Sequence, residues 1–407
     1  MSENAGLASK TVALISLVLI LLLAPGPSDG PAMAQEEAAE PPQIEAQAWA
    51  LADTETGLYL AGKNPDERLP IASTTKVMVA LMAFEEGVDL DEEVTISEQA
   101  ESYVGFTYSN VGLIKGEQVS VRELLVAALV PSGTEAVYAL AEHLGGGGGE
   151  AGVENFVGQM NRKAESMGLE NTHFTNPAGL DDKENYSSAR DLAEIAREAM
   201  EYPEFAEIVN REQATISTGT REIELFSTNN LLYTYDAANG VKTGTSPAAG
   251  PCLIASAKEG GESYVAVVLD AAEDQYRFEA AQTILSYGFG SYERRPLVEE
   301  GQVYEELTPP FRPEESVGLA AAEDVTGLAG PGLEAERRVT EKEAPPEARK
   351  GQELGGIELL IDGQSIGNSP LVASKGYEEA SLWRKIRYWA GRTFDRVSGW
   401  VSGLAGG

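Results

Sequence analysis

Residues Ser73 to Glu86 read as a helix that is apolar almost all the way round. Val77, Leu81 and Phe84 share one face, and Val79, Ala80 and Ala83 fill the rest. A helix without a polar face is stable only in the middle of a protein, so the chain must wrap it on all sides. Upstream, Ala46 to Ala52 and Leu58 to Lys63 read as a β-hairpin around Asp53-Thr54-Glu55-Thr56-Gly57. Far downstream, Val241 to Thr245, Cys252 to Lys258 and Tyr264 to Asp270 read as three more strands. The last two are joined by the hairpin signal Glu259-Gly260-Gly261-Glu262. Helical patterns lie between, at Val121 to Leu144 (interrupted by Pro131-Ser132-Gly133), Asn155 to Met167 and Ser188 to Met200, and Glu273 to Tyr287 follows the last strand. Strands at both ends with helices between predict an α+β domain.

The rest of the 407-residue chain divides by texture. Lys10 precedes an apolar run from Val12 to Ala24, and Ala32-Met33-Ala34 supplies a small-residue cleavage site; together they predict a signal peptide and an exported protein. Gln35 to Gln43, rich in Glu, Ala and Pro, reads as a linker. Beyond Gly290, short strand-like runs such as Ile357 to Ile361 and Leu371 to Ser374 predict a small all-β domain. Leu319 to Gln352 is polar, and a long loop is expected there. Near the C-terminus Leu382, Trp383, Ile386, Trp389, Thr393, Phe394, Val397, Trp400 and Val401 follow helical spacing, with Arg384, Lys385, Arg387, Arg392 and Arg396 on the polar faces. A basic amphipathic helix with tryptophans suits a membrane surface. The expected organisation is therefore a signal peptide over 1–34, a linker over 35–44, the α+β domain over 45–290, the small β domain with its polar insert over 291–377, and a membrane-anchoring amphipathic helix over 378–407. It places the chain on the outer face of the cytoplasmic membrane, as a peripheral protein.

Composition removes several classes of chemistry. A formal net charge of -35 repels phosphate backbones, so no nucleic-acid partner is expected. Cys252 is the only cysteine, so no intrachain disulfide forms, and its apolar strand setting reads as a buried structural thiol. With His143 and His173 as the only histidines, a Ser-His-Asp triad or a multi-histidine metal site has little to draw on; no metal or cofactor is expected.

Three short motifs carry chemistry that needs no histidine. In Ser73-Thr74-Thr75-Lys76 a serine opens the apolar helix, and a lysine three residues on shares its face and can reach the hydroxyl. A lysine walled in by apolar groups, with a second lysine nearby, loses its proton near neutral pH. Ser132-Gly133-Thr134 follows at the helix break. Lys242-Thr243-Gly244 sits on a strand, where Lys242 and Gly244 share a face. There the lysine offers positive potential to a carboxylate, the glycine keeps the face flat for a substrate backbone, and the hydroxyls of Thr243 and Thr245 can donate.

These motifs, in this order, resemble those of the D-alanyl-D-alanine carboxypeptidases, the low-molecular-mass penicillin-binding proteins of the serine peptidase type, which are related to the β-lactamases. The likeness extends to Pro70-Ile71-Ala72 before the nucleophile, Leu113 to Val121, Phe156 to Asn161, Asn171-Thr172-His173-Phe174 and Asn239-Gly240-Val241 before Lys242. The resemblance implies a penicillin-binding or β-lactamase-like domain, a sheet with a helical cluster, followed by a small β domain and an amphipathic helix. It implies that Ser73 attacks the carbonyl between the two terminal D-alanines of a peptidoglycan stem peptide, that Lys76 takes its proton, and that Ser132 relays a proton to the leaving amine. Lys242, Thr243, Gly244, Thr245 and Thr134 would bind substrate, and the N–H groups of Ser73 and Thr245 would form the oxyanion hole. A β-lactam would acylate Ser73 in the same way.

Three positions depart from the family pattern. Thr134 stands where asparagine is usual, Ala178 replaces a histidine before Gly179-Leu180-Asp181, and Thr245 follows Lys-Thr-Gly where many relatives carry histidine. Losing the Asn amide removes a group that donates and accepts at once. A slow or non-catalytic protein that binds peptidoglycan or β-lactams is therefore the second reading. A D,D-endopeptidase using the same residues is a variant of the first. A class A β-lactamase would need an E-x-x-x-N-like loop, and Glu207-Ile208-Val209-Asn210 is one residue short of it.

Overall fold

The computed structural model describes residues 40–392 apart from Phe106, Gly147 and the side chain of Glu341. The expected signal peptide over 1–34, the first half of the linker over 35–44 and the terminal helix beyond 392 lie outside the described residues. The predicted strands form one antiparallel sheet in the spatial order Tyr59–Lys63, Ala46–Asp53, Glu262–Ala271, Gly250–Glu259, Ala238–Ser246. Period-two alternation divides its side chains between two cores. Ala48, Ala50, Val265, Val267 and Leu269 face the helical cluster. Trp49, Leu51, Tyr264, Ala266 and Val268 face the opposite way.

The helix Lys76–Glu85 lies at the centre of the cluster, buried from Lys76 to Phe84, as a helix with no polar face must be. A 3-10 turn, Ala72–Thr75, leads into it. That turn is stitched by its own threonines: Thr74 Oγ1 donates to the Ile71 carbonyl at 2.6 Å and Thr75 Oγ1 to that of Ala72 at 2.9 Å. The helix Val121–Leu129 opens on a capping box between Ser120 and Glu123. Pro131, with no N–H, cannot continue it. The chain turns at Ser132, whose φ is +70°, and restarts as the helix Thr134–Leu144.

On the other face the helix Tyr276–Ser291 packs on the sheet together with Leu328 and Ile361 from the β part. That part holds a five-stranded sheet in the order Val303–Leu307, Val317–Ala321, Gln364–Ala373, Glu353–Ile361, Ala335–Glu341, and a pair formed by Glu293–Val298 and Val325–Ala329. The long loop expected over Leu319 to Gln352 is therefore corrected: Val325–Ala329 and Ala335–Glu341 are strands. The second is an edge strand, laddered from Ala335 to Glu341 along Glu353–Ile361. Backbone pairing needs no large apolar side chains, and a solvated edge favours charge, which is why the segment looked like a loop.

A buried ion pair fastens the β part to the sheet. Asp53 has no exposed surface; it accepts from Arg294 Nη2 at 2.7 Å and from the Thr56 N–H at 2.8 Å. Arg294 also meets Glu262 and Glu55, at 3.3 and 3.4 Å, and Tyr292 donates its hydroxyl proton to the Leu60 carbonyl at 2.8 Å. Replacing Asp53 by alanine leaves the guanidinium without its buried partner and the Thr56 N–H without an acceptor. The expected cost is on the order of 2–3 kcal/mol, read as a lower urea midpoint than wild type. An unchanged midpoint would show that the pair contributes nothing net.

Candidate active site

Ser73 lies in the 3-10 turn, half-buried, between residues that are fully enclosed. Ala72 before it has φ +46°, a left-handed conformation that costs a residue with a Cβ about 1–2 kcal/mol. The fold holds it there from two directions. A Cβ on Gly179 would lie 1.7 Å from the Ala72 carbonyl oxygen and 2.8 Å from Thr75 Oγ1, so the 176–181 turn presses its bare backbone onto the nucleophile turn. A Cβ on Gly244 would lie 2.9 Å from the Ile71 carbonyl oxygen and 3.2 Å from Ser73 N. The edge strand Ala238–Ser246 thus runs against the Ser73 N–H with no side chain between them.

Lys76 is 1% exposed and its amine points into the helix break. It donates to the Ser132 carbonyl at 2.6 Å, to Ser132 Oγ at 3.2 Å and to Thr134 Oγ1 at 3.4 Å. Ser73, expected to open the helix, sits instead in the 3-10 turn before it. The lysine's hydrogen bonds go to the second motif, and the Ser73 hydroxyl makes none among the described residues. Burial pushes the Lys76 amine down to about 7, against the opposing pull of the Glu135 carboxylate. Such an amine gives up its proton near neutrality.

Lys242 is equally buried, and its amine donates to the Thr243 carbonyl at 3.0 Å. Burial, then the like charges of Lys76 and Arg277, hold it well below its ordinary value. Thr243 Oγ1 pairs with Thr228 Oγ1 at 2.6 Å, so that hydroxyl faces a neighbouring loop. Thr245 is exposed at the end of the strand and donates to the Gly244 carbonyl at 2.8 Å.

The second cation of this edge escaped the sequence. Arg277, 6% exposed, comes from the first turn of Tyr276–Ser291. Its Nη1 donates to Thr245 Oγ1 at 2.6 Å and to the Gly244 carbonyl at 3.0 Å, and Asp274 pairs with it at 3.2 Å. A signal was present: Arg277, Ala281, Ile284, Leu285 and Gly288 recur at helical spacing and are all buried, and a charge on an apolar stripe asks for a reason. Cys252, on the neighbouring strand Gly250–Glu259, is buried, and burial pushes its thiol up to about 12, which leaves it protonated at neutral pH, as its setting implied. Ala178 is buried as well. Asp181 from the same turn accepts from Ser246 Oγ and from the Ala248 N–H, tying the turn to the end of the edge strand.

A family model described as D-alanyl-D-alanine carboxypeptidase matches residues 35–273. The chain belongs to that family of serine peptidases. D-alanyl-D-alanine carboxypeptidase DacF of Bacillus subtilis (strain 168) is 32% identical over 378 residues, 90% of this chain and 94% of the relative. The corresponding DacC of Escherichia coli (strain K12) is 32% identical over 87% of this chain and 90% of its own. Among solved structures, penicillin binding protein 5 from Haemophilus influenzae aligns with a TM-score of 0.64 at 32% identity, over 84% of this chain and 100% of that one. The Streptomyces K15 DD-transpeptidase aligns with a TM-score of 0.59 at 37% identity, over 62% of this chain and 100% of that one. The penicillin-binding fold with a helical cluster and a separate β part, the family and the peptidase class expected from the motifs are thereby established.

In this carboxypeptidase the Gly244 contact allows a sharp test. Gly244→Ala puts a methyl group against Ile71 and Ser73, and the strand must move off the nucleophile. A shift of about 1 Å is expected to slow D-alanine release on the order of 100-fold, and the clash with backbone also lowers the melting temperature. Wild-type turnover would mean that the strand need not touch the serine.

Proposed function

We propose that the chain removes the terminal D-alanine of peptidoglycan stem peptides through an acyl-enzyme on Ser73. The observation that carries this reading is the Lys76 amine, buried, held by Ser132 and Thr134, and pushed down to about 7. In the proposed reaction neutral Lys76 accepts the Ser73 proton as Oγ bonds to the carbonyl carbon between the D-alanines. The tetrahedral oxyanion lies between the Ser73 and Thr245 N–H groups. Opposite Thr245 in the ladder stands Pro251, which has no N–H to give, a register that suits an outward-turned Thr245 amide. The proton then passes through Ser132 to the departing amine, and water releases the acyl group.

The terminal carboxylate of the substrate is assigned to Arg277 and Thr245, with Lys242 behind them. Guanidinium keeps its charge where a buried amine gives its up, so Arg277 is the lasting cation of this edge. Lys242 serves the proton network beside Lys76. Thr134 keeps a hydroxyl aimed at Lys76 and offers no amide to the substrate. A β-lactam carries the same carbonyl and carboxylate and acylates the same serine.

The test joins a variant to a pH profile. Ser73→Ala is expected to abolish both D-alanine release and labelling by fluorescent penicillin. In the wild type, acylation requires Lys76 without its proton, so its rate should rise with pH through about 7 and level off above. Labelling without peptide turnover would favour the slow-acylating reading, and Thr134→Asn is then the variant to restore turnover. A flat profile across neutrality would remove Lys76 as the base.

We also place the protein outside the cytoplasmic membrane, exported on residues 1–34 and resting on the bilayer through its C-terminal helix. Among the described residues no helix is long and apolar enough to cross a membrane. The helix over 382–392 exposes Leu382, Trp383, Ile386 and Trp389, by 72, 80, 48 and 58% respectively. Vesicles containing anionic lipid should sediment the full chain, and Trp383→Ala with Ile386→Ala should release it. Equal sedimentation of both proteins would exclude this surface.

A further inference from the structure

The strap from Ser109 to Leu113 belongs to none of the three motifs, yet it is bound to the second one. The Thr134 N–H donates to the Ser109 carbonyl at 2.8 Å. A Cβ on Gly133 would lie 3.4 Å from Val111 Cγ1, so strap and turn are in close packing. Beneath the strap lies Glu135, next to Thr134 and with no exposed surface. Its Oε1 accepts from the N–H groups of Val111, Gly112 and Leu113, at 2.6, 2.8 and 3.3 Å. Its Oε2 is buried with no partner among the described residues. From the other side Arg221 donates to the Gly112 carbonyl, and Arg221 is itself held by the buried Glu117, whose Oε1 accepts from its Nε at 2.8 Å. Gly112 is thus gripped at its N–H by an anion and at its carbonyl by a cation.

A buried carboxylate oxygen left without a donor costs about 1–3 kcal/mol, and such a cost in a well-packed region asks for an explanation. We propose that Glu135 is a positioning residue: it clamps the 109–113 strap onto the Ser132-Gly133-Thr134 turn and so fixes the oxygens that receive the Lys76 amine. The clamp has a second consequence, since the charge of the same carboxylate acts on Lys76 and opposes the effect of burial on it. The other charged groups around that lysine are Lys242 on the edge strand, with Arg277 behind it. Carboxylates on packed helices pair elsewhere: Glu142 with Ser97, Asp191 with Thr172, Glu123 with Ser120, Glu194 with Arg197, Glu207 with Arg211, and Glu85 with Glu198 on Lys163. Burial sets the direction of the Lys76 shift, and Glu135 is the carboxylate that opposes it.

This inference rests on Lys76 acting as base toward Ser73, and the experiment separates the two. Acylation of the full chain by fluorescent penicillin is followed against pH in wild type, Glu135→Gln, Glu135→Asp and Glu135→Ala, each with a melting curve. Glutamine keeps an oxygen for the three N–H groups and loses the charge. Its plateau rate should stay close to wild type while the acid limb moves to lower pH. Aspartate keeps the charge but is one methylene too short to reach all three donors, so its plateau should fall on the order of 100-fold, as should that of alanine. A purely structural glutamate would lower the melting temperature and leave the acid limb in place. A Glu135→Gln protein with an unmoved limb overturns the proposal, and so does a folded one that no longer acylates. If Glu135→Ala does not fold, the Gln and Asp variants decide alone. Failure of the underlying reading looks different: the wild type itself would show no labelling at Ser73.

Discussion

The Lys76 amine is taken out of water on the first turn of a helix that must itself be central, and its N–H groups donate to oxygens from one helix break. The rest of the site depends on keeping it there. Desolvation makes the amine a base near neutrality, but it also makes an empty site around the amine costly, so the oxygens of Ser132 and Thr134 must be presented without slack. Pro131 ends the preceding helix, the positive φ of Ser132 turns the chain inward, and Thr134 restarts it. Lys242, buried on the other side, adds a like charge, and the two amines cannot both hold protons cheaply.

Close backbone approach is the second constraint. The nucleophile turn has bare glycine on two sides, Gly179 from the turn below and Gly244 from the edge strand. Only chains without a Cβ at these points can press a left-handed Ala72 and its serine into place. The strand in turn is braced from behind by Arg277, delivered by a helix wedged between the sheet and the β part. The Asp53–Arg294 pair fastens that β part to the far side of the sheet from the helical cluster. The β part therefore supports the helix that carries Arg277.

Much of this was legible in the chain. The apolar helix, the flanking hairpin, the three downstream strands and the break at Pro131 follow from local patterns of period and punctuation, and they fall where expected. The motif residues converge: Lys76, Ser132 and Thr134 are in contact, and Gly244 lies against Ser73. The polar strand Ala335–Glu341 was not legible, because an edge strand is held by backbone bonds that leave little mark on side-chain composition. Arg277 and Glu135 were missed for a different reason. Each is a charge on a buried stretch of helix, visible as an anomaly, but its partner is a backbone brought near from another segment.

What the sequence determined by itself is what local chemistry carries: a central helix with a serine and a lysine three residues apart at its start, a strand with a lysine and a glycine on one side, and a class of reaction that such residues perform without histidine. The tertiary structure decided the rest. Ser73 and Lys76 are three residues apart in sequence, yet the lysine's hydrogen bonds run to Ser132 and Thr134, far along the chain. Arg277 reaches the end of the strand, and Glu135 holds a strap that no motif names. Hydrogen bonds and burial depend on distances between segments, and those distances exist only once the chain has closed around its apolar helix.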